Sequence, residues 1–132
     1  MVYSKNFDWA LLLLRVVFGT SMIAGHGLRK MERLFSDAEI RFADPFGLGP
    51  LVSLGLATFA EVVCAALLVI GLWTRWALVP LIITMLVAAF YSHWGEPYSE
   101  MELAFLYLVV YASLLLTGPG WYSADAQLHA KK

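Results

Sequence analysis

The chain has 132 residues, of which 61% are hydrophobic and 14% charged, and its mean hydropathy is +0.72. A water-soluble domain of this length needs more charged surface, so the composition predicts helices that face lipid. The formal net charge of −1 argues against a basic surface for nucleic acid. The single cysteine, Cys64, excludes an internal disulfide and a multi-cysteine metal site.

Four apolar runs predict an all-α polytopic membrane protein, a single domain over residues 1–132 built as an antiparallel bundle of four transmembrane helices. We place the spans at about residues 9–27, 51–71, 76–92 and 101–117, with Asp8 as the N-cap of the first. Because no small-residue cleavage site closes the first run, we expect a retained helix rather than a signal peptide.

The connections between the spans differ in length. The turn at residues 72–75 is short enough to force an antiparallel hairpin. The segment 28–50 is long and charged, and the capping-box pattern from Ser36 to Glu39 predicts a short helix on the membrane surface. The Gly-Pro-Gly sequence at 118–120 ends the fourth span.

Aromatic residues support this layout because tryptophan and tyrosine favour the membrane–water interfaces. With alternating spans, one interface, which we call side A, holds four tryptophans: Trp9, Trp73, Trp76 and Trp121. The opposite interface, side B, holds three aromatic residues: Tyr91, Trp94 and Tyr98. Both termini then lie on side A. The loop between the third and fourth spans has acids and no lysine or arginine, which favours a cytoplasmic side A in a bacterial or archaeal cell membrane.

Three ionisable residues fall inside the predicted spans, namely Arg15, His26 and Glu61. Such groups are costly in lipid and usually face the interior of a bundle. In antiparallel helices the depths of Arg15 and Glu61 differ by only about 6 Å, which predicts an ion pair between them. The pair could serve packing alone, or the same groups could form a buried site for a headgroup or a proton.

Helical spacing indicates which way these residues point. Steps of four, three and four residues give one inward stripe on the first span: Arg15, Gly19, Met22 and His26. The neighbours of Glu61 at one helical turn are small or weakly polar, as at close helix contacts: Ala57, Thr58, Cys64 and Ala65. Glu61 is therefore expected to point into the bundle.

Other groups leave alternatives open. Tyr107 and Tyr111 are one turn apart on the fourth span and could line a cavity or simply pack. Several metal-ligand types gather at side B without a spacing that requires a metal, so we assign no metal ligands: His26, His93, Glu96, Glu100 and Glu102. No flavin, haem or iron–sulfur motif and no catalytic motif is found, and catalytic residues stay unknown.

Several segments, in this order and spacing, resemble the DoxX family of small membrane proteins. Residues 13–19 (LLRVVFG) and 25–30 (GHGLRK) resemble its opening, and Glu61 with 67–75 (LLVIGLWTR) resembles its second helix and turn. Residues 102–104 (ELA) and 117–125 (TGPGWYSAD) are similar to its fourth helix and tail. Residues 62–66 (VVCAA) depart from the family, which often has glycines there.

The resemblance implies a four-helix membrane bundle associated with redox chemistry, since the family takes its name from a subunit linked to a thiosulfate:quinone oxidoreductase. It makes the polar interior a candidate site for a quinone headgroup, formed by five residues: Arg15, His26, Glu61, Tyr107 and Tyr111. The protein would then be a membrane subunit of, or partner to, a quinone-linked redox system. A redox partner protein would carry the flavin or metal centre.

Two other functions fit the sequence. The protein could be a scaffold whose long first loop docks a partner enzyme, or it could bind or carry a lipid or other small molecule. A homodimer through small-residue faces is also conceivable.

Overall fold

The computed structural model describes residues 4–131, and this part of the chain contains helices and no strands. Its helices are α1 (Lys5–Leu34), α2 (Pro50–Ile70), α3 (Thr74–Ser92), α4 (Tyr98–Thr117) and α5 (Ala124–Ala130). The first four are long and apolar enough to cross a membrane. The predicted all-α fold with four spans is therefore confirmed.

Helix α1 begins earlier and ends later than the sequence predicted. Its N-cap is Ser4, whose hydroxyl accepts the N–H of Phe7. Asp8 lies inside the helix, so its assignment as the N-cap is wrong. The short surface helix predicted from Ser36 is wrong, because no helix begins there; instead α1 continues through Leu28–Leu34.

The predicted hairpin between α2 and α3 is confirmed, and a tight turn makes it. Gly71 ends α2 in the left-handed conformation, with φ 78°, and Trp73 also has a positive φ of 48°. A side chain at Gly71 would strike both the guanidinium of Arg15 and Ser123. Glycine is therefore required here by backbone conformation and by space.

The spans form a ring in which α1 packs on α2, α2 on α3, α3 on α4 and α4 back on α1. The centre of the ring holds fully buried apolar side chains and one buried tyrosine: Met22, Leu68, Leu78, Leu81, Tyr111 and Leu114. At Gly27 the first two helices approach so closely that a Cβ would lie 2.6 Å from the carbonyl oxygen of Glu61. The inward stripe on α1 and the inward position of Glu61 agree with this packing.

After α4 the chain folds back over the side-A end of the bundle. The N–H of Trp121 donates to the Asp8 carboxylate at 3.0 Å, and the rings of Trp9 and Tyr122 lie 4.9 Å apart. These contacts bring Trp9 and Trp121 to one end of the bundle, as the four-span layout requires.

Candidate functional site

Three of the four spans contain a π-helical segment: Ile23–Gly27 in α1, Phe59–Cys64 in α2 and Val87–Ser92 in α3. π-helical turns are rare in proteins, and those that occur often lie at functional sites. The first holds His26 and the second holds Glu61. All three contribute to the wall of one cavity, which makes that cavity the candidate site.

The cavity has a volume of about 530 Å³ and lies in the side-B half of the bundle, between all four spans and the first loop. Most of its wall is apolar, including Met22, Phe59 and Met85. Nine of the lining residues carry polar groups: His26, Lys30, Ser53, Glu61, Thr84, Ser92, His93, Glu100 and Tyr107. A cavity of this size and polarity suits a small amphiphilic molecule.

An ion pair between Lys30 and Glu61 forms the charged part of this wall. Lys30 Nζ lies 3.0 Å from Glu61 Oε1 and 2.7 Å from Oε2. The Glu61 side chain is 2% exposed, whereas Lys30 is 20% exposed. The carboxylate is therefore enclosed in the bundle, and its cation reaches it from the side-B end of α1.

The predicted ion pair between Arg15 and Glu61 is wrong. Arg15 is fully buried, but its guanidinium donates to the carbonyl oxygens of Leu68 and Val69, at 3.3 and 3.2 Å, and to that of Tyr122. Leu68 lies about two turns beyond Glu61 on α2, toward side A. Arg15 closes the side-A end of the bundle and does not line the cavity.

The end of the first span explains this error. The sequence placed it near Gly27, which left Lys30 in a loop, yet α1 continues to Leu34. Lys30 follows His26 by four residues and so extends the inward stripe. Gly27 allows close helix contact with α2, and neither it nor Gly25 ends the helix. The continued spacing of the stripe was the signal that could have identified Lys30.

Of the other predicted site residues, some line the cavity and one packs behind its wall. His26 and Tyr107 line the cavity together, with their rings edge to face and 5.8 Å between centroids. Tyr111 is fully buried beside Tyr107, and its hydroxyl donates to the carbonyl oxygen of Phe18 at 3.0 Å. Tyr111 therefore packs and supports Tyr107 without lining the cavity, while His26, Glu61 and Tyr107 stay candidates for ligand contact.

At the side-B rim, His93 Nδ1 contacts Glu96 Oε2 at 2.7 Å, and His93 and Glu100 line the cavity. Within residues 4–131, no group of three or more histidine, cysteine, aspartate or glutamate side chains is arranged to hold a metal ion. The rim thus provides polar, titratable groups near water.

The tail that covers side A is held by a second set of contacts. The Asp125 carboxylate accepts the N–H groups of Trp73 and Thr74 at 2.8 and 2.9 Å, at the start of α3. Partial burial opposes ionisation of Asp125, but the hydrogen bonds from Thr74 and Trp73 outweigh it and lower the pKa of the carboxyl. Asp125 therefore caps α3 from the tail.

The first loop contributes to the cavity wall through Phe42, Ala43, Pro45 and Phe46. Its shape depends on Asp44, whose carboxylate accepts the hydroxyl of Ser53 and the N–H groups of Leu48 and Gly49, each at 2.9 Å. The Ser53 hydroxyl and these N–H groups hold the pKa of Asp44 below its usual range.

Acid should therefore loosen this loop only below the ordinary titration range of aspartate. Because the folded pKa is lowered, the stabilisation is complete above the unfolded pKa and is lost as the pH falls through the folded pKa. Asp44→Asn replaces one of the two accepting oxygens by an NH2 group, so it should reduce the combined protection of the Leu48 and Gly49 amides already at neutral pH. Hydrogen exchange, corrected for intrinsic rates, measures this, with the exposed Asp37→Asn as control. Equal protection in both variants would contradict the assigned role of Asp44.

Comparison with known proteins supports the resemblance seen in the sequence. The DoxX family model matches residues 10–94, which include α1 from its second turn onward, α2 and α3. Searches of curated proteins and of solved structures found no significant match. The matched region exceeds half of the chain and contains His26, Lys30 and Glu61. The chain therefore belongs to the DoxX family and is an integral membrane protein with four apolar spans.

Proposed function

We propose that this protein binds a quinone, or a molecule with a similar headgroup, in the side-B cavity and acts as a membrane subunit of, or partner to, a quinone-linked redox system. The observation that carries the proposal is the Lys30–Glu61 ion pair in the wall of an otherwise largely apolar cavity inside the bundle. Ionisable residues at such positions usually mark a functional site. The general link of the DoxX family to quinone-associated functions supports this choice of ligand.

The residues present fit such a headgroup. Lys30 and His26 provide hydrogen-bond donors for a carbonyl oxygen, and the apolar wall suits a flat ring. Within residues 4–131, the Glu61 oxygen Oε2 accepts no hydrogen bond beyond its ion-pair contact with Lys30. A buried acceptor of this kind can accept a hydrogen bond from a hydroxyl group of a bound molecule.

When bound, a quinone accepts two electrons and two protons to become a quinol. In this proposal Lys30 orients a carbonyl oxygen by a hydrogen bond, and the Glu61 carboxylate beside it relays the two protons that reduction takes up from water at side B. His93 and Glu100 line the cavity between this pair and the water at the side-B rim. The electrons come from a partner protein that carries the redox centre.

The test is binding of a short-tailed quinone to the purified protein in lipid nanodiscs, measured by native mass spectrometry. Glu61→Gln keeps the size of the side chain but removes its charge, and it should weaken binding roughly tenfold or more. Glu102→Gln, an exposed carboxylate outside the cavity wall, is the matched control and should bind normally. Unchanged binding by Glu61→Gln would refute the proposal.

The same spectra examine the alternative function of lipid binding or transport, which the apolar wall also favours. A co-purified phospholipid in place of quinone would support that alternative. Docking of a partner enzyme on the first loop and formation of a homodimer stay predictions, and a stoichiometric second protein chain would support the scaffold.

A further inference from the structure

Helices α2 and α3 diverge toward side B. The side-A part of α2, from the π-helical segment to Ile70, packs against α3. The side-B part, Pro50–Thr58, packs instead against Leu28–Leu34 of α1 and has little contact with α3 among residues 4–131. This arrangement leaves a gap between the two spans at the depth of the cavity.

The apolar side chains that line this gap contact the cavity and are also exposed on the surface of the bundle. Leu56 and Phe59 of α2 and Ile83 of α3 belong to the cavity wall, yet they are 53%, 49% and 45% exposed. These three side chains mark one place where the cavity reaches the surface, whereas Phe46 of the first loop and Leu103 near the start of α4, which also line it and are 66% and 52% exposed, mark its end toward side B. The cavity therefore opens sideways into the hydrocarbon of the bilayer.

The rim near water is different in chemistry. There the cavity is bounded by His93 and Glu100 and by the loop residues that Asp44 holds in place. The cavity thus has a polar rim at side B and an apolar opening between α2 and α3. The Lys30–Glu61 pair lies between them in the wall.

We infer that the opening between α2 and α3 is a lateral portal through which the single apolar tail of the ligand extends into the bilayer. This rests on the proposed function, because the headgroup is the one bound beside Lys30 and Glu61. The ligand class is then an isoprenoid quinone with a long tail, entering from the membrane. Leu56, Phe59 and Ile83 select for the tail, since nothing charged lines the opening between them.

The experiment compares two quinones with the same headgroup, one without a tail and one with a ten-carbon tail, in nanodiscs. Enlarging the residues of the portal by Leu56→Trp or Ile83→Trp should weaken binding of the tailed quinone about tenfold and leave binding of the tail-free quinone unchanged. Leu13→Trp, at an exposed lipid-facing position of α1 outside the cavity wall, is the matched control. Circular dichroism verifies that each variant is folded.

A second measurement does not depend on the substitutions. A quinone with a photoreactive diazirine in its tail should label peptides that contain Leu56, Phe59 or Ile83. Labelling confined to other lipid-facing surfaces, such as that around Leu13, would overturn the portal. Equal weakening of the binding of both quinones by Leu56→Trp or Ile83→Trp would also overturn it.

The outcomes separate the two proposals. Suppose that the tail-free quinone binds and that Glu61→Gln abolishes its binding. If Leu56→Trp and Ile83→Trp then bind the tailed quinone normally, the portal alone is refuted. If neither quinone binds the wild-type protein, the proposed function fails and the portal for a quinone tail fails with it.

Discussion

Replacing Arg15 with methionine should release the tail from the side-A end of the bundle and lower the free energy of unfolding by about 3 kcal/mol. The guanidinium is fully buried and donates to three carbonyl oxygens, two near the end of α2 and one, that of Tyr122, in the tail. Methionine fills similar space but leaves these buried acceptors without their donor. Reversible unfolding by sodium dodecyl sulfate measures the loss.

Release of the tail has its own readout. Chymotrypsin should cleave the variant after Trp121 or Tyr122 much faster than the wild-type protein, because the Tyr122 carbonyl is no longer held. Arg75→Met provides the control, since Arg75 is exposed at the same end and its guanidinium donates to the Leu115 carbonyl at 3.3 Å. We expect that variant to lose less than about 1 kcal/mol. Similar losses in the two variants would show that Arg15 does not hold the tail.

Replacing Lys30 with methionine should also be strongly destabilising, by about 3–5 kcal/mol. The change removes the cation that lies 2.7 Å from Glu61 and leaves the carboxylate enclosed in the bundle without a partner. Arg29→Met, which removes the neighbouring exposed cation, should have little effect on the unfolding midpoint.

The double variant Lys30→Met with Glu61→Leu tests the physical reason. Because both charges are then absent, the protein should regain most of the stability that Lys30→Met loses. A double-mutant cycle gives the coupling energy between the two residues. If the double variant were as unstable as the sum of the single variants, the two side chains would not form the pair. Quinone binding should stay weak in the double variant, which separates folding from function.

Much of the fold was predictable from the sequence because its causes are local. Four apolar runs of bilayer length and two aromatic belts indicate four spans, and the turn at residues 72–75 requires a hairpin. The helical period on α1 places Arg15 and His26 on an inward face, and small neighbours place Glu61 inside. Each of these features can be read within a few turns of helix.

The arrangement of charges was less predictable, since it depends on where α1 ends and where the tail goes. Lys30 meets Glu61 only because α1 continues past Gly27, where contact with α2 stabilises a helix that the glycines alone would not favour. Arg15 meets Tyr122 only because the tail folds over side A, and these two residues are 107 positions apart.

By itself, the sequence determined a four-span helical bundle with a polar interior, because the cost of exposing apolar surface to water and charge to lipid leaves few other arrangements. Tertiary structure alone decided that this polar interior consists of two separate parts. Arg15 seals the side-A end, and the Lys30–Glu61 pair borders a cavity toward side B. Arg15 and Lys30 are roughly 22 Å apart along α1, so one carboxylate cannot form an ion pair with both. Glu61 pairs with Lys30 because α1 is long enough to bring Lys30 to the depth of Glu61.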